Sequence, residues 1–430
     1  MKKANFSLSG IVPVTISAVI TGILAGGLTT LYKFLAGKAV TLSGMLYDKP
    51  VLLLLLLAVI PGLAFLLAKI YRKAPELQGG GIPGSISAIR GHKVLPWLRN
   101  TIGPFFLSLL SFVLGVPLGT EGPSVQFSTA MGGGVSDAMP RKWRKWKPLT
   151  LTAGASAGFA VATGSPVAGI LFSIEEAHRT ISPLILLATT VAVLFANVTA
   201  RFLSPLLGVD VALFTISGLP KLTLSQLWLP AVMGLIMGLF AAAFLRFHLV
   251  LRNVLKKAAS RLPQWLLISI IFVLTLAAGV LSPEFISTGH HLVAELLHEN
   301  PGLWLLLLIV VLRTVLTLSA NATGITGGTF LPQLAIGAAA AAAAGTLLIH
   351  AGLAETYYPM LVVFGLCGCV AGMMKMPITA IAFSVEALGL SENLLPALLV
   401  IGISYLLPKL LKQISVTDYV LEQTHEKSTV

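Results

Sequence analysis

The chain has 430 residues, of which 56% are hydrophobic and only 10% are charged. An ordinary soluble domain carries about a quarter charged residues, so a soluble enzyme, a disordered chain and a disulfide scaffold are excluded, and a polytopic helical membrane protein is indicated. The net charge of +13 sits in short clusters between apolar runs, as the positive-inside rule expects; without a continuous basic face or interleaved aromatics it does not indicate a nucleic-acid partner.

The first element is an apolar run that follows MKKANFSLSG and reaches about Leu31. It resembles a signal peptide but exceeds a signal h-region in length, so it reads as the first membrane helix. Apolar segments over 11–35, 50–70, 103–118, 124–136, 150–173, 182–207, 228–252, 264–281, 303–320, 331–352, 358–373, 377–390 and 394–411 then predict the helices in order. Several are too short to cross a hydrocarbon core of about 30 Å. Gly- and Pro-rich breaks separate them: GGGIPG at 79–84, GTEGP at 119–123, GSP at 164–166 and GITGGTFLP at 324–332. Backbone breaks at membrane depth are tolerated where they line a cavity, which points to a transporter or channel and not to an anchor. The basic clusters Lys2-Lys3, 141–147, Lys256-Lys257 and 409–412 place both termini in the cytoplasm.

An internal repeat runs through this pattern. SPVAGILFSIEE at 165–176 aligns with MPITAIAFSVEA at 376–387, an offset of 211. The break at Glu121-Gly122-Pro123 corresponds to Phe330-Leu331-Pro332 at an offset of 209. Matched broken helices in two halves are the sign of an inverted-repeat transporter with its substrate between the halves. One transmembrane domain over 1–430 is expected, with half-repeats at 1–207 and 228–411 and a short cytoplasmic tail at 412–430 in place of a regulatory domain.

Carboxylates at membrane depth are functional candidates by default. Glu121 lies at a break that opens a helix at Gly122-Pro123. Pro favours a first helical turn, whose free N–H groups attract anions. A carboxylate tethered there can fill the anion site itself and leave it when protonated, which couples protons to anions by competition. Glu175 and Glu176 end an apolar run before His178 and Arg179, near a membrane face where one of them could pass protons inward. Glu386, the repeat-mate of Glu175, is expected to be structural. The breaks carry no compensating Lys or Arg, so backbone N–H groups would do the binding, which suits a small anion that must leave quickly.

Other matches carry no chemistry. GGGIPG lacks the βαβ setting of a dinucleotide loop. GASAG at 154–158 has no preceding strand for a nucleophile elbow and reads as a helix of small packing residues. His290-His291 reads as a loop at the aqueous face, and Cys367 and Cys369 read as packing residues without metal-ligand spacing. No enzyme, metal or cofactor is implied.

The breaks, in order, resemble the signatures of the CLC family of chloride channels and chloride/proton antiporters. GGGIP at 79–83 is similar to its GSGIP-type loop, GTEGP at 119–123 followed by Gln126 to its GREGP or GKEGP motif, and 328–332 to its GxFxP motif. FSIEE at 172–176 resembles its paired-glutamate helix, and Tyr419 a tyrosine after the last membrane helix. The likeness, to bacterial members without cytoplasmic domains, covers nearly the whole chain. It implies an all-α fold of tilted, broken and partial-span helices in two inverted halves. It also implies a homodimer in the lipid of the bacterial inner membrane, with one pore per subunit. The gating glutamate falls on Glu121, the internal proton-transfer glutamate on Glu176 and the anion-facing tyrosine on Tyr419. Amides of the anion sites fall on Gly79, Gly80, Thr120, Glu121, Gly122, Thr329, Phe330 and Leu331.

Two departures bear on the anion. Gly80 stands where chloride-selective members carry serine, nitrate-preferring members proline and fluoride exporters methionine, which predicts weaker chloride binding. Thr120 replaces a basic residue, leaving the outer vestibule less positive. The retention of both Glu121 and Glu176 favours exchange of chloride, or a similar small anion, for protons. A passive channel or uncoupled uniporter is the alternative drawn from Gly80. A fluoride/proton antiporter is the alternative drawn from the Thr-rich stretch at 323, 326 and 329.

Overall fold

A computed structural model describes residues 8–421; Lys2-Lys3 and the end of the predicted tail lie outside the described residues. Regular structure among them is helical, and extended pairing is confined to an isolated bridge between Gly119 and Gly328. The helices of the first part are α1 (Leu8–Tyr47), α2 (Pro50–Lys73), α3 (Ile82–Ile89), α4 (Trp97–Val113), α5 (Glu121–Ala138), α6 (Lys147–Thr163), α7 (Pro166–Phe172) and α8 (Pro183–Leu207). An irregular connection over 208–223 follows. Then come α9 (Trp228–Ala259), α10 (Gln264–Leu281), α11 (His290–Leu296), α12 (Leu303–Thr323), α13 (Phe330–His350), α14 (Tyr358–Gly368), α15 (Pro377–Glu386) and α16 (Leu394–Leu410), with a last helical turn at 416–421.

Local sequence accounts for many of the boundaries. Helices α2, α3, α6, α7, α8, α14 and α15 all carry proline in the first turn, where its missing N–H costs nothing and its fixed φ is already helical. Helices α6, α8 and α12 stop at Gly164, Gly208 and Gly324, each in the left-handed conformation that ends a helix cheaply only at glycine.

Eight helical stretches are long and apolar enough to span a membrane. Helices α5 and α6 are too polar or too short to be among them, yet both are buried almost throughout. Their small residues let the backbones touch: a Cβ on Gly154 of α6 would lie 2.1 Å from the Ser128 carbonyl oxygen of α5. Close contact of this kind is how helices associate where the hydrophobic effect supplies no force. The Ala-rich α13 packs against α14, sealing the centre of the molecule.

Three expectations change. The first helix runs on to Tyr47 instead of ending near 35. Its polar residues are absorbed by neighbours: Tyr32 hydroxyl pairs with Ser108 Oγ at 2.5 Å, and Lys33 Nζ donates to the carbonyls of Asp210 and Val211 at 3.0 and 3.1 Å. The apolar run over 150–173 is cut at Gly164 into α6 and α7. His290-His291 opens α11 rather than lying in a loop, with His290 Nε2 donating to the Leu213 carbonyl at 2.6 Å.

Candidate functional site

Three glycine-rich breaks converge. Gly119 and Gly328 exchange backbone hydrogen bonds at 2.6 and 2.7 Å, and Gly79 donates to the Gly324 carbonyl while accepting from the Gly327 N–H. A Cβ on Gly122 would sit 2.0 Å from the Gly80 carbonyl oxygen and 2.7 Å from Gly328 Cα. Only glycine fits at such an approach. The result is that α5 and α13 begin side by side, so their first-turn N–H groups, which have no partners within the helices, face one region.

Glu121 occupies that region. Its side chain is fully buried. Oε1 accepts from the Thr120 hydroxyl at 3.3 Å, and Oε2 from the Leu331 N–H, in the first turn of α13, at 3.4 Å. Among the described residues no Lys, Arg or His forms an ion pair with it. The carboxylate is held by the positive ends of two helices and a hydroxyl.

Next to this knot lies a cavity of about 300 Å³. Gly79, Gly80, Thr329 and Phe330 line it together with Glu176. Four of the predicted amide-bearing residues and the internal glutamate therefore share one space, while Thr120, Glu121, Gly122 and Leu331 stand outside the lining. Lys93 and Arg252 also border it, matched in number by the carboxylates of Glu76 and Glu176. Gln126 lies in the wall with its amide N–H₂ committed to the Glu76 carbonyl at 2.8 Å and Asn100 Oδ1 at 3.1 Å.

The paired glutamates diverge. After α7 the chain widens into a π-helical turn, Ser173–His178, a local feature that re-aims side chains. Glu176 turns to the cavity. Its carbonyl and that of Ala177 are held by Arg90, at 2.7 and 2.9 Å. Glu175 instead accepts the N–H groups of Ile378 and Thr379 at 3.0 and 2.8 Å, and the Thr379 hydroxyl at 2.7 Å, which caps α15. Glu386 does the reverse, accepting from Val167 and Ala168 of α7 at 2.9 and 3.0 Å.

Tyr419 is not brought to the cavity wall. Its ring lies under the Arg252 guanidinium, 4.9 Å away, and edge-on to His248. Its neighbours Val416, Thr417 and Val420 do line the cavity, and Asp418 pairs with Arg179 at the end of the π-turn.

The threonines of the third break separate by role. The Thr323 hydroxyl bonds back to the Ser319 and Ala320 carbonyls. Thr326 donates to the Leu77 carbonyl at 2.7 Å and pairs with Tyr71. Thr329 alone of the three faces the cavity.

Arg90, Asn321 and Gln333 escaped the motif reading. Asn321 and Gln333 line the cavity on either side of the third break. The signal that could have flagged them is an amide side chain inside an apolar helix. Cys369, near Gln333, is a buried thiol that donates to the Gln333 carbonyl.

Three solved structures share the fold at low sequence identity. A slow cyanobacterial Cl⁻/H⁺ antiporter matches with a TM-score of 0.85 at 22% identity, over 97% of this chain and 99% of that one. A CLC-type fluoride/proton antiporter gives 0.77 at 21%, over 94% and 97%. A eukaryotic CLC transporter gives 0.72 at 18%, over 95% and 74%. The sequence profile described as voltage gated chloride channel matches residues 63–409. Eight apolar spans, three paired glycine breaks and that match over most of the length make this chain an integral multi-pass membrane protein and an anion transporter of the voltage gated chloride channel, or CLC, family.

Proposed function

We propose that this protein exchanges chloride for protons, with Glu121 as the gate that both ions share. The observation that carries the reading is the Glu121 carboxylate, fully buried, without an ion pair among the described residues, and held by the Leu331 N–H at the start of α13 and the Thr120 hydroxyl before α5. A site built from peptide dipoles accepts either a tethered carboxylate or a free anion of similar charge. Protonation removes the charge of Glu121 and with it the attraction, so the side chain swings out and an anion takes its place. Glu176, in the wall of the adjoining cavity, exchanges the proton with the cytoplasm through water in that cavity. Lys93 and Arg252 border the same space. The amides of Gly80, Thr120, Gly122, Thr329, Phe330 and Leu331 serve the anion along its path, and Gly79 shapes the loop, since its own N–H is bonded to Gly324. Tyr419 works at the inner end, on the turn whose other residues line the cavity. In this reading the protein is a homodimer in a bacterial inner membrane, each subunit with its own pore and both termini cytoplasmic.

Fluoride is the second reading for the anion. It draws on Thr329, which lines the cavity with no side-chain hydrogen bond to the described residues, and on the fold shared with a fluoride/proton antiporter.

The test is purified protein in liposomes under an imposed chloride gradient, with a pH electrode outside. Uphill proton movement driven by chloride alone supports exchange. Chloride flux without protons overturns coupling in favour of a channel or uniporter. Movement of fluoride but not chloride selects the second reading.

A further inference from the structure

Gly80 offers no side-chain hydroxyl of its own, and the structure places another donor beside it. A Cβ on Gly80 would lie 3.2 Å from Asn321 Nδ2. Asn321, near the end of α12, lines the cavity, and its amide makes no hydrogen bond to the described residues. Gln333, in the first turn of α13, lines the same cavity. It is only 4% exposed, and its Oε1 is buried without a partner. Buried polar atoms are paired in the great majority of cases. The buried Gln333 amide, with the half-buried Asn321 amide beside it on the same cavity, therefore marks a place that a small polar species fills. Lys93 and Arg252 balance Glu76 and Glu176 in the same lining, and the N-termini of α3 and α13 at Ile82 and Phe330 add positive potential, so that species is an anion.

We infer that Asn321, supported by Gln333, is the side-chain anion ligand and specificity-determining residue of this transporter, in place of a hydroxyl at position 80. The inference rests on the proposed anion exchange and names the donors that exchange uses. An amide N–H₂ donates two neutral hydrogen bonds from a fixed plane. Gln333 presents either oxygen or nitrogen to the cavity by a half-turn of its terminal torsion, since the two ends occupy equivalent positions. Neutral donors hold an anion without the deep trap that a lysine or arginine would make. A site of strong N–H donors also favours the smaller, harder anion over a large diffuse one, because hydrogen bonding to a compact charge is stronger.

Titration calorimetry of the purified full-length protein with sodium chloride, sodium fluoride and sodium nitrate tests this. Asn321→Ala is expected to weaken binding of the preferred anion at least about tenfold, the loss of one hydrogen bond to a charged partner. Asn321→Asp, nearly isosteric, is expected to abolish it. Gly80→Ser in the Asn321→Ala background is expected to restore binding with chloride preferred, because the hydroxyl enters space the amide has left. Elution as one symmetric peak on size exclusion checks that each variant is folded, and Asn321→Ser replaces any variant that fails. Unchanged affinity and unchanged anion order in both folded single variants overturns the assignment and leaves the transport reading standing. Wild-type protein that binds and moves none of the three anions overturns both.

Discussion

Gly119 and Gly328 exchange a pair of backbone hydrogen bonds across 209 residues of chain, and this bridge sets α5 and α13 with their N-termini together. Each glycine lies two residues before the first residue of its helix. Neither break could form the site alone: one helix start offers three or four unpaired N–H groups, whereas the bridged pair holds the Glu121 carboxylate from two directions.

The carboxylates should separate proton from anion movement. Glu121→Gln removes the ionisable group while keeping shape, so proton flux should fall at least about a hundredfold, the usual contribution of a positioned acid–base group, while anion flux persists. Glu176→Gln should do the same. Parallel recordings with a pH electrode and a chloride electrode on one liposome batch check this; native proton rates in either variant would remove that residue from the path.

Arg90 should matter to protons more than to anions. It clamps the carbonyls of Glu176 and Ala177 and so fixes the π-turn that aims Glu176. Arg90→Ala should lower proton flux about tenfold or more, since small displacements of a reacting group are costly, with anion flux near native. A matched fall in both fluxes would mean that Arg90 serves the fold alone.

Thr326 and Thr329 should part company. Thr326→Val leaves the Leu77 carbonyl and Tyr71 hydroxyl short of a partner, destabilising the protein by about 2 kcal/mol without altering which anion is carried. Thr329→Val should leave thermal stability within about 0.5 kcal/mol and shift anion preference. Differential scanning fluorimetry in detergent and flux assays with mixed anions read the two effects.

Glu175→Ala and Glu386→Ala should both cost stability, about 1–2 kcal/mol each as for other lost helix caps. The Glu175 change should cost more, because it also strands the Thr379 hydroxyl. Proton coupling should survive in both. A Glu175→Ala variant that unfolds at the native temperature would contradict the cap.

The breaks were legible in the sequence because glycine and proline leave a record wherever backbone must stop or touch, as at Gly122, where a Cβ would strike the Gly80 carbonyl oxygen. The fates of Glu175 and Glu176 were not. Adjacent residues on a regular helix point about 100° apart, but the π-turn changes that geometry, and no residue at 173–178 announces it. Asn321 and Gln333 were hidden for another reason: their importance comes from sharing a cavity with Gly80, with Asn321 directly beside it, and that neighbourhood exists only after α12 and α13 have folded around the third break. Helices α5 and α6 illustrate the opposite error that composition invites. Their serines, threonines and glycines look too polar for membrane depth, yet nearly all of them are buried inside the protein.

The caps exchanged by Glu175 and Glu386 constrain how this molecule can move. Helices α7 and α15 each hold the other's starting turn by a carboxylate, like two hooks closed on one another. Parting the two helices would free two carboxylates and four backbone donors together, so the two caps are made or lost as one unit. Any movement that parts α7 from α15 has to break both caps, whereas one that carries the two helices together leaves all four backbone contacts intact.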